Sequence, residues 1–143
     1  MSKRRVAFAN DHAGLELKAA LKRELEGLGH EILDLGTNAT ESVDYPDFGR
    51  ALGETIAAGR ADLGIAICGS GIGISIAANR NPKVRAALCH DVTTAKLARL
   101  HNDANVLALG ARTTGVAEAI DCLHAFLSTE FEGGRHARRV AKL

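Results

Sequence analysis

Five times along this chain a short β-like run is followed by a longer stretch with helical period, and that alternation constrains the fold more than any other feature. The runs cover residues 6–9, 31–34, 63–68, 85–88 and 106–109, each near ordinary strand length and each followed by turn residues. Between them, Leu17, Leu21, Leu25 and Leu28 fall on one helical stripe, and Val116, Ile120, Leu123 and Leu127 on another. Strands that alternate with helices require right-handed crossovers, which leave the strands parallel and covered by helices on both faces. The expected fold is α/β: a three-layer, doubly wound sandwich around a five-stranded parallel sheet. The nearly continuous apolar runs 6–9 and 63–67 suit its buried centre.

No repeat, linker or low-complexity segment divides the 143 residues, so a single domain, 1–143, is expected. A chain of this length can bury roughly 68–70% of its unfolded surface without crosslinks or metal. The one long irregular stretch is 36–47, and Pro46 then fits the first turn of a helix running to about residue 58. A net charge of +1 gives no general attraction to nucleic acid or membrane, so any anion must be held by locally placed groups. Cys68, Cys89 and Cys122 form no CxxC pair, and neither a signal peptide nor a membrane-spanning run is recognisable. These features predict free thiols and a cytoplasmic location.

In an open parallel sheet, ligands bind outside the carboxyl ends of the strands. That rule gives one address to Asp11 and His12 after the first strand, Cys68 and its glycines after the third, His90 and Asp91 after the fourth, and Arg112 after the fifth. The segment from Leu63 to Ser75 carries the strongest signal. A buried strand runs into Cys68, and Gly69, Gly71 and Gly73 follow with Ser70 and Ile72 between them. Glycines at this spacing let backbone N–H groups approach an anion, and the helix expected from Ile74 to Asn79 adds its positive end. A thiol in that field favours its thiolate form. The bland alternatives are a structural strand-to-helix turn with an inert cysteine, a helix-capping Asp11, a solvated His12 and a surface Arg112.

Two more segments stand out. His101, Asn102 and Asp103 end the fourth helix, where a C-cap and turn would suffice. A final helix over about 134–142 places Arg135 and Arg139 on one face, either a solvated basic face or two guanidiniums positioned to grip a phosphate. Competing motifs fail on particular residues. A dinucleotide fingerprint would need glycine or alanine at Ile74, no Gly-Lys-Ser/Thr is present for a phosphate loop of that type, and the six histidines lack zinc spacing. Cys68, His101 and Asp11 are also the residue types of a thiol hydrolase, but several phosphate-type arginines fit a phosphorylated substrate better.

Taken together, Asp11-His12-Ala13-Gly14, Asp44-Tyr45-Pro46-Asp47, the run from Cys68 to Asn79, His101-Asn102-Asp103 and Gly133-Gly134-Arg135-His136 with Arg139 resemble the type B ribose-5-phosphate isomerases. The resemblance extends from about residue 3 to 140. Related galactose-6-phosphate isomerase subunits lack part of this set. Ser70 stands where threonine is common, keeping the hydroxyl, and Asn10 stands where a small residue is usual. The resemblance implies a Rossmann-like fold and reversible aldose–ketose conversion of a five-carbon sugar phosphate through a cis-enediolate, without cofactor or metal. It implies Cys68 as the base, Gly69, Ser70, Gly71, Ile72 and Gly73 as the oxyanion cradle, and His101 with Asp11 as the ring-opening pair. It further implies Asn102 and Tyr45 on sugar hydroxyls, His12, Arg135 and Arg139 on the phosphate, and Arg112 donated by a partner subunit. The implied assembly is a homodimer with interfacial sites, or a dimer of dimers. Allose 6-phosphate, galactose 6-phosphate and a tetrose phosphate are alternative substrates. A non-catalytic sugar-phosphate-binding module would not need both Cys68 and His101.

Overall fold

Strands β1 (Arg5–Asn10), β2 (Glu31–Asp34), β3 (Leu63–Cys68), β4 (Ala86–Leu88) and β5 (Val106–Gly110) form one sheet in the order β2-β1-β3-β5-β4, in a computed structural model that describes residues 2–143. Every neighbouring pair is parallel, with Phe8 opposite Asp34 and Ile65, and Ile67 opposite Leu109. The helices are α1 (Leu15–Gly27), α2 (Tyr45–Ala57), α3 (Ile72–Asn79), α4 (Val92–Asn102), α5 (Val116–Ser128) and α6 (Arg135–Val140). The three-layer expectation holds, with no strand end shifted by more than one residue. Pro46 does open α2, while α3 starts two residues earlier than the sequence reading, at Ile72.

Alternation along the strands sorts the core into two unequal layers. Val6, Phe8, Ile65, Ile67, Leu107 and Leu109 face α1, α4 and α5, where Leu21, Leu25, Leu123 and Phe126 meet them. The opposite face carries Ala7, Ala9, Ala66, Cys68 and Ala108 against Leu52 of α2 and Ile74 and Ala78 of α3. Small side chains let α2 and α3 lie close to the sheet and to each other: a Cβ added at Gly49 would come within 2.6 Å of the Ala77 Cβ. Leu28 and Val116, placed on the apolar stripes by period alone, cap α1 and open α5 instead, and both are exposed.

Two buried polar side chains hold the long loop after β2. Lys18 donates from Nζ to Asp34 Oδ1 at 3.1 Å, to the Thr37 carbonyl at 2.8 Å and to Asn38 Oδ1 at 2.8 Å. Asn10, at the end of β1, donates from Nδ2 to the carbonyls of Asp11 and Thr37. Burial alone would raise the Asp34 pKa, but the Lys18 ammonium, the Gly36 N–H and Lys22 outweigh it and hold the carboxyl below its usual range. The consequence of Asn10 is thus a tether between β1 and this loop.

Candidate active site

The chain leaves β1 toward β2 on one side and later places β3 on the other, so the crevice between β1 and β3 is the switch point of the sheet. Asp11 follows β1 there, and Cys68 ends β3. Asp11, Tyr45, Cys68, Gly69, Ser70, Ile72, Gly73 and Arg112 all line one cleft of about 590 Å³.

Cys68 is the last residue of β3 on the thin face, 4% exposed. Gly71 takes φ 77°, a left-handed conformation that favours glycine, and its N–H points at the Cys68 sulfur, 3.2 Å away. A Cβ at Gly71 would collide with the backbone of Leu109 and Gly110. The loop therefore needs glycine twice over, for its dihedral and for its closeness to β5. Ser70 Oγ accepts from the Ile72 N–H at 3.2 Å, and the first turn of α3 presents the N–H groups that no helix can satisfy internally. The result is a sulfur beside a ready anion site.

On either side, the rim residues are fixed by their own bonds. Asp11 Oδ1 accepts from the Ala13 N–H, so it caps the 3-10 turn His12–Gly14 while lining the cleft. His12 Nδ1 accepts from the Val43 N–H at 3.1 Å, which leaves Nε2 as the N–H donor of the neutral ring. Tyr45 packs its ring over Gly73, where any side chain would displace it. His90 and Asp91, which also follow a strand, turn out differently: Asp91 and Thr94 form a capping box for α4.

Arg112, which the resemblance assigns to a partner subunit, lies at the rim of its own chain's cleft. Its N–H donates to the Gly69 carbonyl at 2.9 Å, and its stem lies beside Gly69, so it lines the cleft of its own chain's Cys68. The loop after β5 is drawn in because Ala111 N–H bonds the Cys68 carbonyl as well. The β3 and β5 ends thus form one unit.

His101, Asn102, Arg135 and Arg139 lie elsewhere. Helix α4 runs antiparallel to the strands, so its last residues sit at the sheet's opposite edge from Cys68, separated by about 16 Å of helix for 11 residues. Asn102 lines a second cavity, about 490 Å³, with Arg85, Ala87 and Val140. Asp103 ends α4 with φ 47° and is held by Arg85 and Arg99. The His101 ring stacks on His136 of α6, with centroids 4.2 Å apart and planes 13° from parallel. His136, in the run Gly133-Gly134-Arg135-His136, is buried. Its burial, then His101 and Arg135, push its pKa below the ordinary histidine value.

Donor atoms of His101, Glu132 and His136 fall within 4.8 Å of one another. A metal lies in the plane of each imidazole that binds it, and two nearly parallel stacked planes do not converge on one ion, so these residues fit a metal poorly. Burial raises the thiol pKa of Cys89, and burial with nearby acidic groups pushes Cys122 up to about 12, so both suit core roles. Among the described residues, no helix is long and apolar enough to cross a membrane.

The sequence model of the Ribose/Galactose Isomerase family matches residues 6–143. A ribose-5-phosphate isomerase B of Escherichia coli is 43% identical over 137 residues, covering 96% of this chain and 92% of that one. The fold agrees closely with a ribose 5-phosphate isomerase of Thermotoga maritima, at TM-score 0.96 and 48% identity, covering 99% of this chain and 97% of the other. It agrees too with ribose-5-phosphate isomerase B of Mycoplasma genitalium, solved with bound ribulose-5-phosphate, at TM-score 0.91, 41% identity and coverage of 96% and 92%. With its fold, its switch-point thiol and these relatives in accord, the chain belongs to the ribose/galactose isomerase family, among the type B ribose-5-phosphate isomerases.

Proposed function

We propose that this protein interconverts D-ribose 5-phosphate and D-ribulose 5-phosphate, with Cys68 as the base. The observation that carries the reading is the Cys68 sulfur at the switch-point crevice, with the Gly71 N–H upon it and the start of α3 beside it. The relatives named for this reaction, one of them holding ribulose-5-phosphate, support the choice of substrate.

The hydrogen on C2 of the open aldose is weakly acidic, so the base and the oxyanion donors must act together. The thiolate takes the C2 proton, the electron pair moves into a C1–C2 double bond, and negative charge develops on O1. Backbone N–H groups of the Gly69–Gly73 loop and the Ser70 hydroxyl receive that charge. A proton then passes from O2 to O1, the thiol returns its proton to C1, and the carbonyl stands at C2. No electron leaves the substrate, so the balance calls for no cofactor. Because the aldose rests mainly as a furanose, an acid–base group must first open the ring, and His101 with Asp11 takes that role. Tyr45 and Asn102 contact hydroxyls. His12, through its Nε2–H, joins Arg135 and Arg139 on the phosphate, with Arg112 on the Cys68 side.

This assignment requires two copies of the chain. Cys68 and His101 occupy opposite edges of one sheet, so a homodimer brings His101, Asn102, Arg135 and Arg139 of one protomer to the Cys68 cleft of the other. Ile72, Ile76 and Tyr45, exposed around that cleft, are the apolar surface such a contact would cover. A coupled assay that compares ribose 5-phosphate with allose 6-phosphate, galactose 6-phosphate and erythrose 4-phosphate tests the substrate. The five-carbon sugar should have the highest kcat/KM; a six-carbon sugar exceeding it overturns the reading.

A further inference from the structure

We infer that His136 is a positioning residue for the reaction: its imidazole, stacked on His101, fixes the plane from which His101 works on the sugar ring. The inference rests on the ring-opening role proposed for His101. Its basis is the pairing itself. The two rings come from different elements, α4 and α6, and lie 4.2 Å apart and 13° from parallel. His136 is 5% exposed, far less than the arginines on either side of it in α6, and its Nε2 has no hydrogen-bond partner. The closest carboxylate oxygen, Glu132 Oε1, is 3.9 Å away, beyond hydrogen-bond reach. A nitrogen left unpaired in a buried place is costly, and an apolar ring would pack there without that cost. What the imidazole does make is a face-to-face contact with another imidazole.

The charged and titratable groups around His136 are His101 on α4, Arg135 and Arg139 on its own helix, and Glu132 in the preceding turn. Burial and the three basic groups favour the neutral ring, and only Glu132 opposes them. A neutral His136 leaves His101 free to carry a proton without two cations lying face to face. The Gly133–Gly134 turn, with φ 69° and 53°, lets α6 begin close enough to α4 for the stack to form. Gly133 also accepts the His136 N–H at 3.0 Å, so the ring's own backbone is tied to the turn.

The test is a mutant cycle on purified protein, with turnover of ribose 5-phosphate and folding by thermal melt as readouts. His136→Ala and His136→Asn should each lose about 10- to 100-fold in kcat, as expected when a reacting group is misplaced, with KM within about twofold. His136→Phe, which keeps a flat ring, should recover most of that loss. Adding His136→Ala to His101→Ala should cost nothing further, because the residue acts only through its neighbour. Multiplying losses in the double variant, a Phe variant as poor as Asn, or native turnover in the Asn variant would each overturn the proposal. If the Ala variants do not fold, the Phe and Asn pair still decides. Native turnover in His101→Ala would instead remove the ring-opening role itself, and this inference with it.

Discussion

If each site combines the Cys68 half of one protomer with the His101 half of another, two dead variants should revive one another. Within one chain the Cys68 cleft is lined without His101, which ends α4 after about 16 Å of helix for 11 residues. Cys68→Ala and His101→Ala should each lose roughly 10²- to 10⁴-fold, the worth of a positioned acid or base. After an equal mixture is unfolded and refolded together, about half of the two-fold dimers are mixed, and each mixed dimer has one site with both native residues and one with neither. Activity should therefore return to about a quarter of the wild-type value, at least about 25-fold above either variant alone. The assay is ketose formation from ribose 5-phosphate at saturating substrate, with composition checked by mass spectrometry. Activity no higher than the average of the two variants would refute the composite site. A second mixture probes Arg112: it lines its own chain's Cys68 cleft, so Cys68→Ala with Arg112→Ala should give no revival. Revival there would restore the assignment of Arg112 to the partner.

Three further outcomes follow from geometry already described. Iodoacetamide should inactivate through Cys68 with protection by bound sugar phosphate, while Cys89 and Cys122, whose thiols burial keeps protonated, stay unmodified; peptide mass spectrometry showing loss of activity tracking Cys122 would contradict this. Arg135→Ala and Arg139→Ala should each weaken calorimetric binding of a non-reacting five-carbon phosphate by roughly 1.5–3 kcal/mol, and Arg138→Ala far less; equal affinities across the three would make α6 a solvated surface. Asp34, with its pKa depressed in the folded protein, contributes stability that is present above its unfolded pKa, about 3.9, and is lost as pH falls through the folded value. Melting of Asp34→Asn should therefore trail the wild type at pH 7 and the gap should close as the pH falls below the unfolded value, and a gap that widens in acid would reverse the sign of the argument.

The sheet was legible because its signal is local: apolar runs such as 63–67 and helical stripes such as Leu17, Leu21 and Leu25 report burial residue by residue. The Cys68 loop was legible for the same reason, since its strand, thiol and glycines are contiguous. Arg112 was legible from the rim rule, which put it after the fifth strand at the same edge as Cys68, but which chain's substrate its guanidinium serves was not, because periodicity does not encode a contact between copies. His101 posed the opposite problem. Its place at a helix end was readable, but the rim rule collects residues that follow strands, and His101 precedes one. His136 stood inside a basic run that reads as solvated, and the clue to its burial was only that it lies two residues after a Gly-Gly turn. Leu28 and Val116 show where period misleads: a stripe runs on to the terminus of its helix, where the side chain is exposed.

The unequal layers of the core carry a consequence for how this site can drift. On the face that holds Cys68, β1 and β3 offer Ala7, Ala9, Gly64 and Ala66, residues with almost nothing smaller to become. Change there can only enlarge: a methyl at Gly64 would press within 2.9 Å of Leu52, at a cost of about 1–3 kcal/mol for overpacking. Relief would come by lifting α2 or α3, and α3 begins at the loop whose N–H touches the sulfur. The placement of the base is thus a one-way ratchet set at its lower stop, while the leucine-rich face opposite can exchange volume among its members without being felt at the thiol.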